Sequence, residues 1–394
     1  MADGMDVIDF DENCHNQNEE SQQNQEQNDN HTQIVENIIK SDVYKKNENN
    51  DFIPIGLKKL NISYVNPVLL LLSGINEFEQ YFIKNTEKFM NDKKYILSFV
   101  TSRLFFNLFK NEKTKKAKVY DSSNYLNVLK IKNIPIEKDN NMNINDILML
   151  ILYNLNDELK EEKNIDKNKD NYNHYNLEEV IKYGYISYMN RNNSIITKKL
   201  NNFILQTIEC PKCCKKYYEM KSFPTFNLNI TEANENFKSS IGFKEISLLD
   251  CIKNETIENK KSIKFYCGIC NNYIESKKVL YQFYSLSDKL IFIIEQKETR
   301  GNEYKKNIPL KINKIINLEE YAYPKNIQFN YELIGIISSE IGQNYVCFLK
   351  SYYNNKWYLY NNEQTEEKDL KDILNGHNNG NLKPHTLLYS RIDK

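Results

Sequence analysis

The chain has 394 residues, enough for one large core or two to three smaller ones, and its 53 lysines and arginines balance 53 aspartates and glutamates. That zero net charge excludes a long-range field able to gather nucleic acid, an anionic membrane or a polycationic substrate, so partners must be recognised through local surface. Abundant Asn, Lys, Ile and Tyr beside scarce Gly and Pro describe a compositional bias, and asparagine runs carry no functional weight by themselves.

Residues 1–50 are acidic and rich in Asn, Gln and Glu, without a basic start or an apolar run of signal-peptide length, and read as a disordered polar tail. From about Phe52 to Phe109 apolar residues recur at helical spacing, as in Val68, Leu69 and Leu72 followed by Phe78, Tyr81 and Phe82. The most apolar run, Val68 to Leu72, is far shorter than the roughly 20 residues that span a bilayer, so no membrane partner is expected. Asn143 to Leu159 predicts a second long helix, buried on most faces. Polar stretches at about 160–176 and around Asn375 to Asn381 read as loop insertions.

After Phe203 the texture changes to short alternating or β-branched runs. Thr225–Ile230, Ser262–Tyr266, Lys289–Ile294, Tyr331–Ile337, Tyr345–Lys350 and Trp357–Tyr360 are predicted strands. A helix-rich first half and a strand-rich second half predict an α+β protein rather than a parallel βαβ repeat. Between them stand two C-x-x-C knuckles, Cys210 with Cys213 and Cys267 with Cys270. Paired knuckles supply the four thiolates of one tetrahedral structural zinc, and Cys214 is a substitute ligand beside the first. Cys251 and Cys347 read as core residues, and Cys14 as a tail thiol without a partner. This cysteine usage, with no secretory signal, fits a reducing compartment, the cytoplasm or nucleus.

The segment Gly56 to Leu69, GLKKLNISYVNPVL, resembles the cysteine box of the ubiquitin-specific proteases, G-L-x-N-L-G-N-T-C-Y-M-N-S-x-L-Q. Further landmarks follow in family order: a helix from Asn143 like the Q-Q-D-A-x-E-F segment, then the two knuckles. Asn344 to Lys350 is similar to the G-H-Y-x-x-Y/F box, Trp357 to Asn362 to W-x-x-F-D-D, and Leu387 to Arg391 to L-L-F-Y-x-R. The resemblance covers about Ile55 to Arg391. It implies a papain-like α+β fold over residues 51–394, with a helical thumb at about 51–200 and zinc-ribbon fingers and a β-sheet palm at about 201–394. It also implies a structural zinc on Cys210, Cys213, Cys267 and Cys270, and Trp357 in the palm core.

The same resemblance puts Ser63 at the nucleophile, Asn344 at the histidine and Asn361 at the orienting aspartate, with Asn61 at the oxyanion side or capping the following helix. A cysteine protease needs a thiol of lowered pKa, an imidazole to ionise it and a group to orient that imidazole. Moving the one-residue gap in the box cannot recover the thiol, because no cysteine lies between Cys14 and Cys210. Losing nucleophile and base together costs on the order of a million-fold in turnover. The acidic positions that hold the arginines of the ubiquitin tail fall on Asn143 and Asp146, and the L-K-R-F strand end appears as Gln296 to Thr299, with an acid in place of the arginine. The expected function is therefore a pseudo-deubiquitinase that binds ubiquitin or a ubiquitin-like protein, or serves as a scaffold in a multiprotein assembly, with no direct nucleic-acid contact. The alternatives are an active deubiquitinase using an unrecognised nucleophile, and a cysteine-less splicing-factor relative, whose usual N-terminal zinc finger has no counterpart here. A structural zinc protein without ubiquitin affinity is a further possibility.

Overall fold

In the computed structural model Glu48–Lys394 forms one compact unit. The structure describes residues 54–60, 62–109, 119–136, 143–161, 172–238, 246–256, 262–296, 308–324, 329–340 and 345–392, all within this unit, and the polar tail at 1–50 lies outside the described residues. Helix α1 (Val65–Ser73) is buried at every position, as its sequence VNPVLLLLS requires. Pro67 falls in its first turn, where a missing N–H breaks no intrahelical bond. Around α1 lie α2 (Asn76–Lys84), α3 (Thr86–Met90), α4 (Ile96–Phe109), α5 (Ser123–Ile131) and α6 (Ile144–Leu159). Among the described residues no helix is long and apolar enough to cross a membrane.

Helix α6 departs from the expectation of burial on most faces. It buries one stripe, Ile144, Ile147, Leu148, Ile151, Leu152 and Leu155, and leaves Tyr153 53% exposed. Near its end Glu158 is turned inward, where its carboxylate accepts from the backbone N–H of Leu97 (3.1 Å) and Ser98 (2.8 Å) and pairs with Lys132 Nζ at 2.7 Å. A buried anion thus caps the positive end of α4 and locks two helices together.

The short helical turns α7 (Leu177–Glu179), a π-helical stretch Val180–Ile186 and α8 (Ser187–Arg191) lead through α9 (Ile195–Leu200) into the strands. Strands β1 (Asn202–Glu209), β2 (Lys216–Phe223) and β7 (Val279–Ser285) form a three-stranded antiparallel sheet in the order β2-β1-β7. The hairpin β5 (Ile263–Cys267) and β6 (Asn272–Ser276) lies beyond it. The short strands β4 (Ile246–Ser247) and β9 (Leu310–Lys311) pair in parallel.

The main sheet has eight strands: β3 (Phe226–Asn229), β8 (Lys289–Glu295), β10 (Ile315–Asn317), β11 (Asn330–Glu340), β12 (Tyr345–Lys350), β13 (Trp357–Asn361), β14 (Gln364–Lys368) and β15 (Leu382–Arg391). Its order is β14-β13-β12-β11-β15-β8-β3, with β10 beside β11, and among the described residues only its β3–β8 pairing is parallel. Its core includes Leu290, Phe292, Tyr331, Ile336, Trp357, Leu387 and Tyr389. Helices α10 (Ile230–Lys238), α11 (Leu248–Thr256) and α12 (Leu370–Asn378) interrupt the strand-rich half. Two expectations are thereby corrected: Ile230 opens α10 instead of extending a strand, and Asn375 to Asn378 end α12 instead of forming a loop.

Candidate active site and metal centre

Ser63 is half-buried in the turn that leads into α1, whose N-cap is Tyr64. The preceding residues are stapled to the β13–β14 turn. Leu57 N–H donates to the Asn362 carbonyl at 2.9 Å, and a Cβ on Gly56 would lie 2.5 Å from the Glu363 carbonyl oxygen, so only glycine permits this approach. Asn66, 2% exposed in the first turn of α1, completes the join. Its Nδ2 donates to the Lys58 carbonyl (3.0 Å) and to Asn362 Oδ1 (3.4 Å), while its Oδ1 accepts from Ser122 Oγ (2.9 Å). Asn362, at φ 52°, in turn donates from Nδ2 to Asn361 Oδ1 at 3.3 Å. Asn361 is the exposed last residue of β13, and the amide drawn against α1 is that of Asn362.

Asn61 and Asn344 lie outside the described residues. The neighbour of Asn344, Tyr345, opens β12 at the sheet end where β13 finishes, since Cys347 stands opposite Tyr360. An imidazole beside Tyr345 is that of His385, which lies inside β15 at a register shift opposite Ile337 and Ser338. Its Nε2 is 2.8 Å from Ser339 Oγ, and its ring meets Tyr345 edge-on at 4.9 Å. Burial, helped by the Lys383 charge, pushes its pKa down to about 4, which makes it a poor base near neutrality. His377 on α12 is fully buried; its Nδ1–H donates to the Ile373 carbonyl at 2.8 Å, and its Nε2, 2.7 Å from Ser338 Oγ, accepts that hydroxyl's proton. Burial holds this ring neutral as well, with a pKa of about 4.

Asn143 and Asp146 are exposed and close a capping box on α6. Asn143 Oδ1 accepts from the N–H of Asn145 (2.8 Å) and Asp146 (3.0 Å), and Asp146 Oδ2 accepts from the N–H of Asn143 (3.2 Å). The same turn touches the palm, where Thr386 Oγ1 donates to Asn145 Oδ1 at 2.9 Å.

The knuckles converge. Cys210 follows β1, Cys213 lies in the turn before β2, Cys267 ends β5 and Cys270 lies in the turn before β6. Their four sulfurs all fall within 4.8 Å of one another, with Cys210–Cys270 at 3.8 Å and Cys213–Cys267 at 3.7 Å. Thiolates about 2.3 Å from a tetrahedral metal ion would be separated by about 3.8 Å, so the four residues fit one ion. Cys214, exposed with φ 57°, stands outside this group. Cys251 and Cys347 are buried core residues as expected, and burial raises both thiols, Cys251 to about 12. Neither has the lowered pKa of a nucleophile.

A family profile described as ubiquitin carboxyl-terminal hydrolase matches residues 55–389. The chain belongs to the ubiquitin carboxyl-terminal hydrolase family. Among solved structures it is similar to a chain of the yeast SAGA DUBm, with a TM-score of 0.60 and 13% identity over 89% of this chain and 71% of that one. No curated protein matches it in sequence.

In this hydrolase-family fold the helices α1 to α6 are the thumb, the eight-stranded sheet is the palm, and β1, β2, β5, β6 and β7 are the fingers. The structure joins the turn after Asn361 to the first turn of α1, just past Ser63, and gathers all four knuckle cysteines. Sequence reasoning did not single out Asn362 or Ser122, which bind Asn66. Asn362 is the second polar residue of the W-x-x-F-D-D-like segment, and what sets it apart from Asn361 is a left-handed backbone that only the structure shows.

Proposed function

We propose that this protein is a pseudo-deubiquitinase that uses the thumb–palm–fingers surface to bind ubiquitin or a ubiquitin-like protein, alone or within a multiprotein assembly. The observation that carries the reading is the hydroxyl at Ser63, in the turn where the family places its nucleophilic thiol. A serine there depends on a base, and His385, whose ring meets Tyr345 at the start of β12, is bonded to Ser339 and held at a pKa of about 4. The likeness to a chain from a multiprotein deubiquitinase module supports a role in an assembly. Asn143 and Asp146 stay exposed and available to the arginine-bearing ubiquitin tail, although their helix-facing oxygens serve the α6 cap. Zinc is the metal proposed for Cys210, Cys213, Cys267 and Cys270, because an all-cysteine tetrahedral set is a closed structural site. The working compartment is the cytoplasm or nucleus, in keeping with the thiol usage.

The test combines binding and turnover. Ubiquitin should bind measurably, and a fluorogenic ubiquitin C-terminal amide should be hydrolysed no faster than by the Ser63→Ala variant. A covalent adduct with a ubiquitin-derived electrophile that Ser63→Ala abolishes would establish an active hydrolase instead. Absence of any association with mono- or di-ubiquitin would remove the binding function.

A further inference from the structure

One tyrosine outside the knuckles reaches into the four-cysteine cluster. Tyr175 Oη donates to Cys267 Sγ at 3.6 Å and accepts the backbone N–H of Gly268 at 2.7 Å. A single phenol therefore uses both its donor and an acceptor lone pair on the second knuckle. Its backbone neighbours are fixed to the arm of the first knuckle. Tyr218 N–H donates to the His174 carbonyl at 2.8 Å, and His174 Nδ1 lies 3.0 Å from the Tyr218 carbonyl. The His174 ring stacks on Tyr217 at 4.7 Å, and Tyr175 meets the same tyrosine edge-on at 5.9 Å.

The segment continues without slack into the turns that join thumb to fingers. Asn176 caps α7 through its Oδ1, which accepts from Glu178 N–H at 3.0 Å, and Glu179 Oε2 accepts from Asn173 N–H at 3.0 Å. Farther along, a Cβ on Gly184 would stand 2.7 Å from Met220 Cβ, so the π-helical backbone lies directly on β2. Tyr185 then packs edge-on against Phe203 of β1 and Tyr284 of β7.

We infer that Tyr175 is a positioning residue of the metal centre, a clasp that couples metal loading of the knuckles to docking of residues 172–191 along β2. The inference rests on the reading of the four cysteines as a zinc site. A metal-bound thiolate accepts a stronger hydrogen bond than a thiol, so loading tightens the clasp. By linkage, a docked clasp must tighten metal binding by the same factor.

The experiment uses the full chain and zinc alone, with affinity measured by chelator competition and docking by amide hydrogen exchange over residues 172–191. Tyr175→Phe keeps the ring on Tyr217 and removes only the hydroxyl, whereas Tyr273→Phe alters a tyrosine of β6 that is 66% exposed. Tyr175→Phe should weaken zinc binding about 10- to 100-fold, the effect of losing an outer partner of a metal ligand, and Tyr273→Phe should not. In the wild type, exchange over 172–191 should slow when zinc is added. Equal zinc affinity of wild type and Tyr175→Phe overturns the clasp and leaves the site standing. Exchange over 172–191 that is indifferent to zinc overturns the coupling. A wild-type chain that takes up no zinc removes the site, and the clasp with it.

Discussion

Stripping the zinc proposed for Cys210, Cys213, Cys267 and Cys270 should unfold the β5–β6 hairpin and leave the thumb intact. The fingertip core is small and separate, with Ile208, Phe265, Ile274 and Val279 as its buried apolar side chains beside the buried thiols of Cys210 and Cys267. At about 1.5–3 kcal/mol for each apolar side chain, their burial contributes about 6–12 kcal/mol. Ordering the fourteen residues from Ile263 to Ser276 costs about 14–28 kcal/mol at about 1–2 kcal/mol each. The midpoints leave a shortfall of about 12 kcal/mol, and a structural zinc site supplies about 10–16 kcal/mol. With the zinc proposed for the four cysteines the hairpin should be folded, and without it unfolded. Chelation, or Cys267→Ser, followed by hydrogen exchange with mass spectrometry should bring amides of residues 263–276 to the rates of an unstructured peptide, while α4 keeps its protection. Retained protection of the hairpin in protein shown to be metal-free would refute the reasoning, because the apolar core alone would then suffice.

Two further outcomes concern the thumb and palm. Glu158→Ala should cost about 3–5 kcal/mol in denaturant unfolding, since it strands the Leu97 and Ser98 N–H groups and leaves Lys132 without its partner; a loss below about 1 kcal/mol would show that water replaces the carboxylate. For His377 the folded pKa of about 4 lies below the unfolded value of 6.5, so the unfolded chain binds the extra proton between them. Its contribution is complete above about pH 6.5 and is lost as pH falls toward 4, a change approaching about 3 kcal/mol. The stability difference between wild type and His377→Gln, measured by urea unfolding at several pH values, should shrink across that window, and a pH-independent difference would refute the assignment.

The sequence was most legible where one residue type serves one purpose. Two C-x-x-C pairs announced a cluster before any strand was placed, because few other arrangements use four thiols at that spacing. The apolar run of α1 announced a buried helix, since no surface helix tolerates apolar residues on every side. Helices α10, α11 and α12 were not legible. Each is nine residues long and mixes polar with apolar positions, so none carries the apolar pattern that marks α1 and α6. Burial on most faces was wrongly expected for α6, because its apolar count hides a helical stripe that leaves Tyr153 outside.

The same limit applies to the cleft, where residue type and residue role separate. Alignment assigns Asn361 the orienting role, yet the amide that reaches α1 is that of Asn362, turned inward by a left-handed backbone. Neither motif nor composition distinguishes these adjacent asparagines; the turn does. Once placed, Asn362 is engaged by Asn66, Asn66 by Lys58 and Ser122, and Ser339 and Ser338 by their own histidines. Hydrogen bonds satisfied in this way hold the β13–β14 turn and the C-terminal end of β11 in place. Burial keeps both described palm imidazoles neutral, each paired with a serine hydroxyl, whereas proton transfer at a peptide bond needs a base that is free to accept the proton near neutral pH. The binding surface proposed above needs rigidity, and the polar contacts described at this thumb–palm junction supply it.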